Sequence, residues 1–326
     1  MPSPELPRAL LLTLGVIYGA LLMLALCMLI RDAIGLGVFA LSRRFGRSIL
    51  FSNRATIAIA AFAATASLWG TWEAVRVPSL QQVSVELPGL ASEMNGYRIL
   101  LLTDLHASRL LQEQWMEDVV RVSNAQKPHI IVISGDLVDG TVEDRKRDVA
   151  PLAKLFAPDG VYAVSGNHEY YADYVSWMRE FKDLGIRMLE NEHVIIQETM
   201  GGFVLAGVPD QVASSHGESG PDIAKALLNR PESLPVVLLD HRPGHMRANQ
   251  QHGIDLQLSG HTHGGHIKGV DQVVRYFNDG FVSGMYEVAG AKLYVSNGAG
   301  LWPGFPTRVG TPSEITLITL RTPSRS

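Results

Sequence analysis

Ile130-Ile131-Val132-Ile133-Ser134-Gly135-Asp136-Leu137-Val138-Asp139 joins a short apolar run to a glycine and two carboxylates. Four β-branched residues in succession suit a strand buried on both faces. The Ser-Gly that follows ends the strand and delivers Asp136 to its carboxyl end. The same design recurs on both sides. Residues 99–102 precede Thr103-Asp104-Leu105-His106, and residues 161–164 precede Ser165-Gly166-Asn167-His168. Residues 236–239 precede Asp240-His241, and Leu256 and Leu258 precede Ser259-Gly260-His261-Thr262-His263. Helical spacing fills the intervals: 112–126, with Trp115, Met116, Val119 and Val120 in register and Pro128 beyond, then 173–184 and 222–228. Residues 203–208, 293–296 and 314–320 read as later strands, and 82–87 as an early one. Strands alternating with helices predict a layered α/β domain, with its polar clusters gathered along one sheet edge.

The chain has 326 residues, room for one large domain or two ordinary ones, and no internal repeat. A net charge of −4 creates no global basic field, so nucleic acid is not an expected partner. One cysteine, Cys27, excludes an intramolecular disulfide and leaves the compartment open. The first 72 residues carry long uncharged runs. Residues 9–30 are long enough to cross a hydrocarbon core. Residues 55–72 form a second run and end in Trp69 and Trp72, a residue type suited to a membrane interface. Residues 33–41 are apolar but too short to span, and read as an interfacial segment. Arg31, Arg43, Arg44, Arg47 and Arg54 lie between the runs against one acid, Asp32; the outer flanks offer Arg8 and Arg76.

The positive-inside rule then places 31–54 in the cytoplasm. It makes the protein multi-pass in the inner (plasma) membrane, with everything after residue 72 on the outer face. The first run also reads as a signal peptide, but it is long for one and lacks a small-residue cleavage site. Ser42-Arg43-Arg44-Phe45 resembles a twin-arginine export signal, which predicts the same final side. The expected organisation is an anchor over 1–72, a connector and first strand over 73–97, and a catalytic domain over 98–320.

Read as ligands, the clusters offer carboxylate, imidazole and amide groups without a thiolate. That mixture suits Mn, Fe or Zn at a reactive site better than a structural zinc site, which prefers cysteine. Asp104 with His106, and His261 with His263, are two apart; on an extended segment both members of a pair project to one side. Taken singly, each cluster reads as a turn or a surface residue. Five in order, each at a strand end, do not.

This ordered set resembles the calcineurin-like metallophosphoesterase superfamily. The matching strings are Asp104-Leu105-His106, Gly135-Asp136-Leu137-Val138-Asp139, Gly166-Asn167-His168-Glu169, His241 and Gly260-His261-Thr262-His263. Gly264-Gly265, the Leu293-Tyr294-Val295-Ser296-Asn297-Gly298 stretch and the apolar N-terminus are similar to the bacterial membrane-linked branch, which includes the YkuE and YaeI phosphodiesterases. The resemblance implies a four-layer α/β/β/α sandwich. It implies that Asp104, His106 and His263 hold one divalent metal, that Asn167, His241 and His261 hold a second, and that Asp136 bridges them. Two such ions about 3.5–4 Å apart repel, and a shared carboxylate screens them; a bridging water then becomes hydroxide near neutral pH and attacks phosphorus in line. His168 is implied as the proton donor near the leaving group, with Asp139 orienting and charging it. Glu169 reads as a brace for its loop.

Arg242 reads equally as a phosphate contact or a surface charge, and His266 as a residue behind the ligands or a polar loop residue. His245 reads as structural, and His129, His193, His216 and His252 have no motif around them. The Arg-Gly that protein phosphatases of the superfamily carry after the position of Asp139 is absent; Gly140-Thr141 stands there. The expected substrate is therefore a phosphodiester or pyrophosphate, lipid or lipid-linked given the anchor. UDP-2,3-diacylglucosamine is one candidate, although it is cytoplasmic and the predicted orientation is outward. Leu301, Trp302, Pro303 and Phe305 read either as an apolar entrance or as a packed turn. No protein partner is evident. A catalytically inactive metal-binding sensor or scaffold on the same fold is the alternative, which filled ligand positions disfavour. A transporter has no intramembrane charge to form its pathway.

Overall fold

The computed structural model describes residues 4–198 and 201–323. Three helices lead: α1 (Arg8–Leu41), α2 (Arg43–Leu50) and α3 (Asn53–Val75). The strands that follow are β1 (Ser79–Glu86), β2 (Arg98–Leu102), β3 (Ile130–Ser134), β4 (Val161–Val164), β5 (Arg187–Met188) and β6 (Glu192–Glu198). Then come β7 (Gly201–Gly207), β8 (Val236–Leu239), β9 (Leu256–Ser259), β10 (Gly284–Val288), β11 (Ala291–Val295) and β12 (Glu314–Arg321). Between them run α4 (Glu113–Ala125), α5 (Val142–Val149), α6 (Asn167–Tyr171), α7 (Tyr174–Asp183), α8 (Ile223–Ala226), α9 (Met246–Asn249) and α10 (Asp271–Phe277).

The strands form two six-stranded sheets, ordered β1-β12-β2-β3-β4-β5 and β10-β11-β9-β8-β7-β6. Alternation along each strand divides its side chains between two faces. Ile99, Leu101, Ile130 and Val132 of the first sheet meet Phe203, Leu205, Val237, Leu239, Leu256 and Leu258 of the second. Leu100, Leu102, Ile131 and Ile133 face the other way, onto Trp115, Met116 and Val119 of α4 and Trp177 and Phe181 of α7. The outer face of the second sheet is covered by Ile223 and Ala226 of α8 and by Met246 of α9. The result is the expected α/β/β/α sandwich. Strands β2, β3 and β4 are parallel in one sheet, as are β7, β8 and β9 in the other, so their carboxyl ends lie along one edge.

Three local readings change. The 73–97 stretch carries an edge strand, β1, in parallel register with β12 over all eight residues. Residues 33–41 are no separate segment: α1 continues through Arg31 and Asp32, whose side chains pair with each other while Arg31 also reaches Thr56 of α3. Helix α8 is a short piece of the predicted 222–228 helix.

Helices α1 and α3 are long and apolar enough to cross a membrane. Their pairing depends on small residues. A Cβ added to Gly19 would lie 2.6 Å from Ser67 Oγ and 2.9 Å from Thr307 Oγ1; one added to Gly70 would lie 2.8 Å from Val309. Ser67 Oγ donates to Val16 O at 2.7 Å. The hairpin is also bound to the sandwich. Arg308 N donates to Gly70 O at 2.9 Å, Trp115 Nε1 donates to Arg76 O at 3.1 Å, and Leu11 joins the core beneath α4. Gly37, on the same helix as Gly19, has nothing within 4 Å of an added Cβ. In full-length protein in detergent, Gly19→Leu should lower the thermal midpoint by on the order of 5 °C through overpacking, and Gly37→Leu should leave it unchanged. Equal midpoints for the two variants would show that the hairpin does not seat as described.

Candidate metal centre

The ligand-bearing residues follow the ends of β2, β3, β4, β8 and β9. They do not extend those strands. Asp104, His106, Asp136, His261 and His263 all have positive φ, from 45° to 70°. Left-handed backbone is unfavourable for a non-glycine residue, and five instances at one sheet edge mark a site that the surrounding fold holds in place. The i, i+2 argument for a shared direction assumes extended backbone, and the backbone is left-handed at all four residues. Asp104 and His106 fall in one group of close ligand atoms, and His261 and His263 fall in two different ones.

Glycine makes the convergence possible. A Cβ at Gly166 would lie 2.2 Å from Asp136 Oδ1, and one at Gly260 would lie 2.3 Å from Asp104 Oδ2. Glu169 fixes the loop from beneath, as the sequence suggests. Its fully buried carboxylate accepts from Gly166 N and Leu137 N at 2.7 Å, and from Asp136 N at 3.2 Å. Burial, with Asp136 adding to it, pushes the Glu169 acid up to about 7 despite these donors.

Asp104, His106 and His263 form one group whose ligand atoms lie within 4.8 Å of one another; Asp136, His241 and His261 form a second. From the second group Asp136 Oδ2 reaches toward the first: it lies 3.2 Å from His241 Nε2 of its own group, 3.6 Å from His106 Nε2 of the other and 4.0 Å from His168 Nε2. The outward nitrogens set the tautomers. His241 Nδ1 donates to Ser134 O at 2.8 Å, and His106 Nδ1 pairs with Asp139 Oδ2 at 3.1 Å. Both Nε2 atoms are left aimed inward, and His106 Nε2 is buried with no hydrogen-bond partner among the described residues. An inward, dehydrated imidazole nitrogen beside carboxylates is a fitting ligand for a divalent cation.

The electrostatics agree. Burial raises Asp136, but His241, His168 and His106 outweigh it and hold the carboxyl well below its ordinary value. Burial lowers His241, yet Asp136 and Asp104 push it up to about 10. His261 and His263 are pushed well down, first by burial and then by neighbouring imidazoles, which suits them to act as neutral donors. His168 Nδ1 hydrogen-bonds Asp139 Oδ1. Burial would lower His168, but Asp136 and Asp139 raise it to about 9, while Asp139 is held near 2 by His106 and His168 against its own burial. Asp139 thus serves two imidazoles, His106 as well as the expected His168.

A family model described as calcineurin-like phosphoesterase matches residues 97–265. The chain belongs to the calcineurin-like metallophosphoesterase family. It is similar to a Helicobacter pylori protein named uncharacterized metallophosphoesterase, 37% identical over 253 residues that cover 77% of this chain and 66% of that one. It is similar to a Bos taurus transmembrane protein with metallophosphoesterase domain, 36% identical over 267 residues, covering 78% and 60%. A metallophosphoesterase of Bacillus subtilis, YkuE, is 28% identical over 241 residues, covering 70% and 80%. The chain spans under two thirds of the length of the first two.

Other residues of this metallophosphoesterase take their places around the centre. His245 pairs with Asp240 at 3.0 Å and is structural. His129 accepts from Arg98 N, and His193 meets Ala226 O; both lie outside the site. Leu301 and Pro303 are buried and the half-buried Phe305 packs on Tyr18 of α1, while Pro303, Gly304 and Pro306 line an apolar groove with Leu14 and Tyr18, so the stretch is packed on one side and open on the other. Two residues were not singled out. Asp210 is fully buried and holds Arg242; it follows β7 as the other polar residues follow their strands, so the same pattern reaches it. Arg308 is fully buried and donates to His263 O, Asn297 O and Gly300 O, bracing the His263 loop; no motif in the sequence points to it.

The crowding at Gly166 gives a direct test. Gly166→Ala should displace Asp136 and cut metal affinity roughly 10- to 100-fold while the circular dichroism spectrum is retained. Bound metal is counted by mass spectrometry after dialysis. A variant that keeps wild-type metal content would show that Asp136 is not held as a ligand.

Proposed function

We propose that the chain is a membrane-anchored, binuclear metal-dependent phosphoesterase acting on a phosphodiester or pyrophosphate of a lipid or lipid-linked substrate. The observation that carries the reaction class is the position of Asp136 Oδ2 between two adjacent ligand groups, 3.2 Å from His241 Nε2 of its own and 3.6 Å from His106 Nε2 of the other. In this reading Asp104, His106 and His263 would hold one ion, Asn167, His241 and His261 the other, and Asp136 both. Bound there, divalent ions supply Lewis-acid activation of a water and neutralise charge on the phosphoryl oxygens. His168, protonated and held at Nδ1 by Asp139, presents its Nε2 proton to the site. The leaving oxygen takes that proton as its bond to phosphorus breaks.

The lipid reading rests on how the hairpin meets the centre. Tyr18 of α1 touches Phe305 at 5.6 Å between ring centroids, Phe305 touches His266 at 5.5 Å, and His266 touches His263 at 5.2 Å. Four side chains therefore link an apolar helix to a candidate ligand. Ile267 and Val270 pack against Met23 and Ala63, and α10, which starts there, leaves Val273, Tyr276 and Phe277 exposed beside the hairpin. A substrate with its acyl chains in the bilayer would present its phosphate near this edge. The arginines of α2 support a cytoplasmic turn and an outward catalytic domain, which favours an external phospholipid or diester over UDP-2,3-diacylglucosamine.

Because the hairpin contributes to the core, the assay uses the full-length chain in detergent with added Mn. Bis-p-nitrophenyl phosphate should turn over, EDTA should abolish the activity, and Asp136→Asn and His168→Ala should each lose at least roughly 100-fold. Phospholipid vesicles offered as substrate should release product under the same conditions. Folded wild-type protein that binds no metal and cleaves neither substrate would refute the reading. Orientation is read separately. A carboxyl-terminal alkaline phosphatase fusion should be active outside the cytoplasm, and a fusion active only within it would reverse the topology.

A further inference from the structure

We propose that Arg242 grips a non-bridging phosphoryl oxygen of the substrate, an assignment that rests on the phosphoesterase reading above. Arg242 follows His241 at the end of β8. Its Nε donates to Asp210 Oδ2 at 2.6 Å, and the other oxygen of Asp210 accepts from Val212 N at 2.8 Å. One edge of the guanidinium is thus fixed by a buried carboxylate. The other two nitrogens point at the metal centre. Nη1 lies 3.1 Å from His261 Nε2, and Nη2 donates to Asn167 Oδ1 at 3.3 Å.

His261 Nδ1 lies 3.2 Å from His241 Nε2, on the side of Asp136, so Nδ1 is the nitrogen that would face a cation held there. A neutral imidazole that gives Nδ1 to a cation carries its proton on Nε2. A guanidinium has only donors, so Nη1 and a protonated Nε2 cannot hydrogen-bond. Nη1 is then left beside the ligands as a charge-assisted donor in need of an acceptor, its direction held by Asp210, and Nη2 has a second N–H besides the one given to Asn167 Oδ1. A phosphoryl oxygen fits that geometry.

The alternatives for this task are occupied. Arg145 is buried against Glu5 and Asp148, and Arg308 is spent on backbone carbonyls behind His263. Gly140-Thr141 stands where protein phosphatases of the superfamily carry their arginine. Arg242 supplies an equivalent charge from a different strand.

The test reads binding of inorganic phosphate, independently of turnover. Arg242→Ala alone would leave the Asp210 carboxylate buried without its cation, so it is made together with Asp210→Asn; Arg242→Lys keeps a charge and removes the fork. Full-length, Mn-loaded protein in detergent is titrated with phosphate by calorimetry, and bound metal is counted in parallel. The double variant should keep wild-type metal content and bind phosphate roughly 10- to 100-fold more weakly, with part of the loss restored by free guanidinium ion. Arg242→Lys should fall between. Unchanged phosphate affinity with metal retained refutes Arg242 alone. Loss of metal in Arg242→Lys also refutes it, since Arg242 would then act by positioning His261 and Asn167. A wild-type protein that takes up no metal refutes the phosphoesterase reading, and this assignment with it.

Discussion

Asp104, Asp136 and Asp139 are buried beside the imidazoles of His106, His168, His241, His261 and His263, almost out of reach of water. Dehydrating carboxylates is costly unless positive charge stands close to them. Imidazolium supplies that charge here: against burial, Asp136 and Asp104 push His241 up and Asp136 and Asp139 push His168 up, and the imidazoles in turn pull Asp136 and Asp139 down. The neighbouring His261 and His263 are pushed the other way, first by burial and then by the positive charge already beside them. The group thus behaves as a receptor for a limited amount of positive charge. The neutral His261 and His263 and the ionised Asp136 and Asp139 are in the states that a divalent cation requires of its ligands, whereas burial raises Asp104 and a cation must displace the proton of His241.

Holding such a group together needs a rigid support. Two sheets stacked face to face bring five strand ends to one edge, and the apolar layer between them fixes their separation. Left-handed residues at those ends are then affordable, since the sheets determine where the chain must go. Glycines at 135, 166 and 260 remove side chains that would otherwise collide with His241, Asp136 and Asp104.

Much of this was legible in the sequence. Runs such as 130–133 and 236–239 announce strands buried on both faces, and a polar cluster after each run announces the edge. The sequence pattern fails where an element is short or polar. Helix α5, with Arg145, Lys146 and Arg147, has few apolar residues to set a period, and the edge strands β6 and β10 are too exposed to show a buried run. The direction of Asp104 and His106 was also beyond pattern reasoning, because positive φ in a non-glycine residue leaves no mark on composition. Arg308 was invisible for a related reason. Its partners are backbone carbonyls from two separated stretches, His263 and 297–300, brought together only by folding.

The hairpin and the catalytic edge are mechanically joined at residues 302–309. Arg308 holds Gly70 of α3 through its main chain and the His263 loop through its side chain. Phe305 lies between Tyr18 of α1 and His266. The apolar hairpin is therefore more than a loosely tethered appendage. A flexible linker would leave the metal centre free to face any direction, whereas these contacts give it one orientation relative to the apolar helices. Ligand chemistry, common to a large family, sets what is done to a phosphate. The packing of 302–309 against α1 and α3, together with Arg242 at the opposite margin of the centre, is where this chain can determine which phosphate it meets.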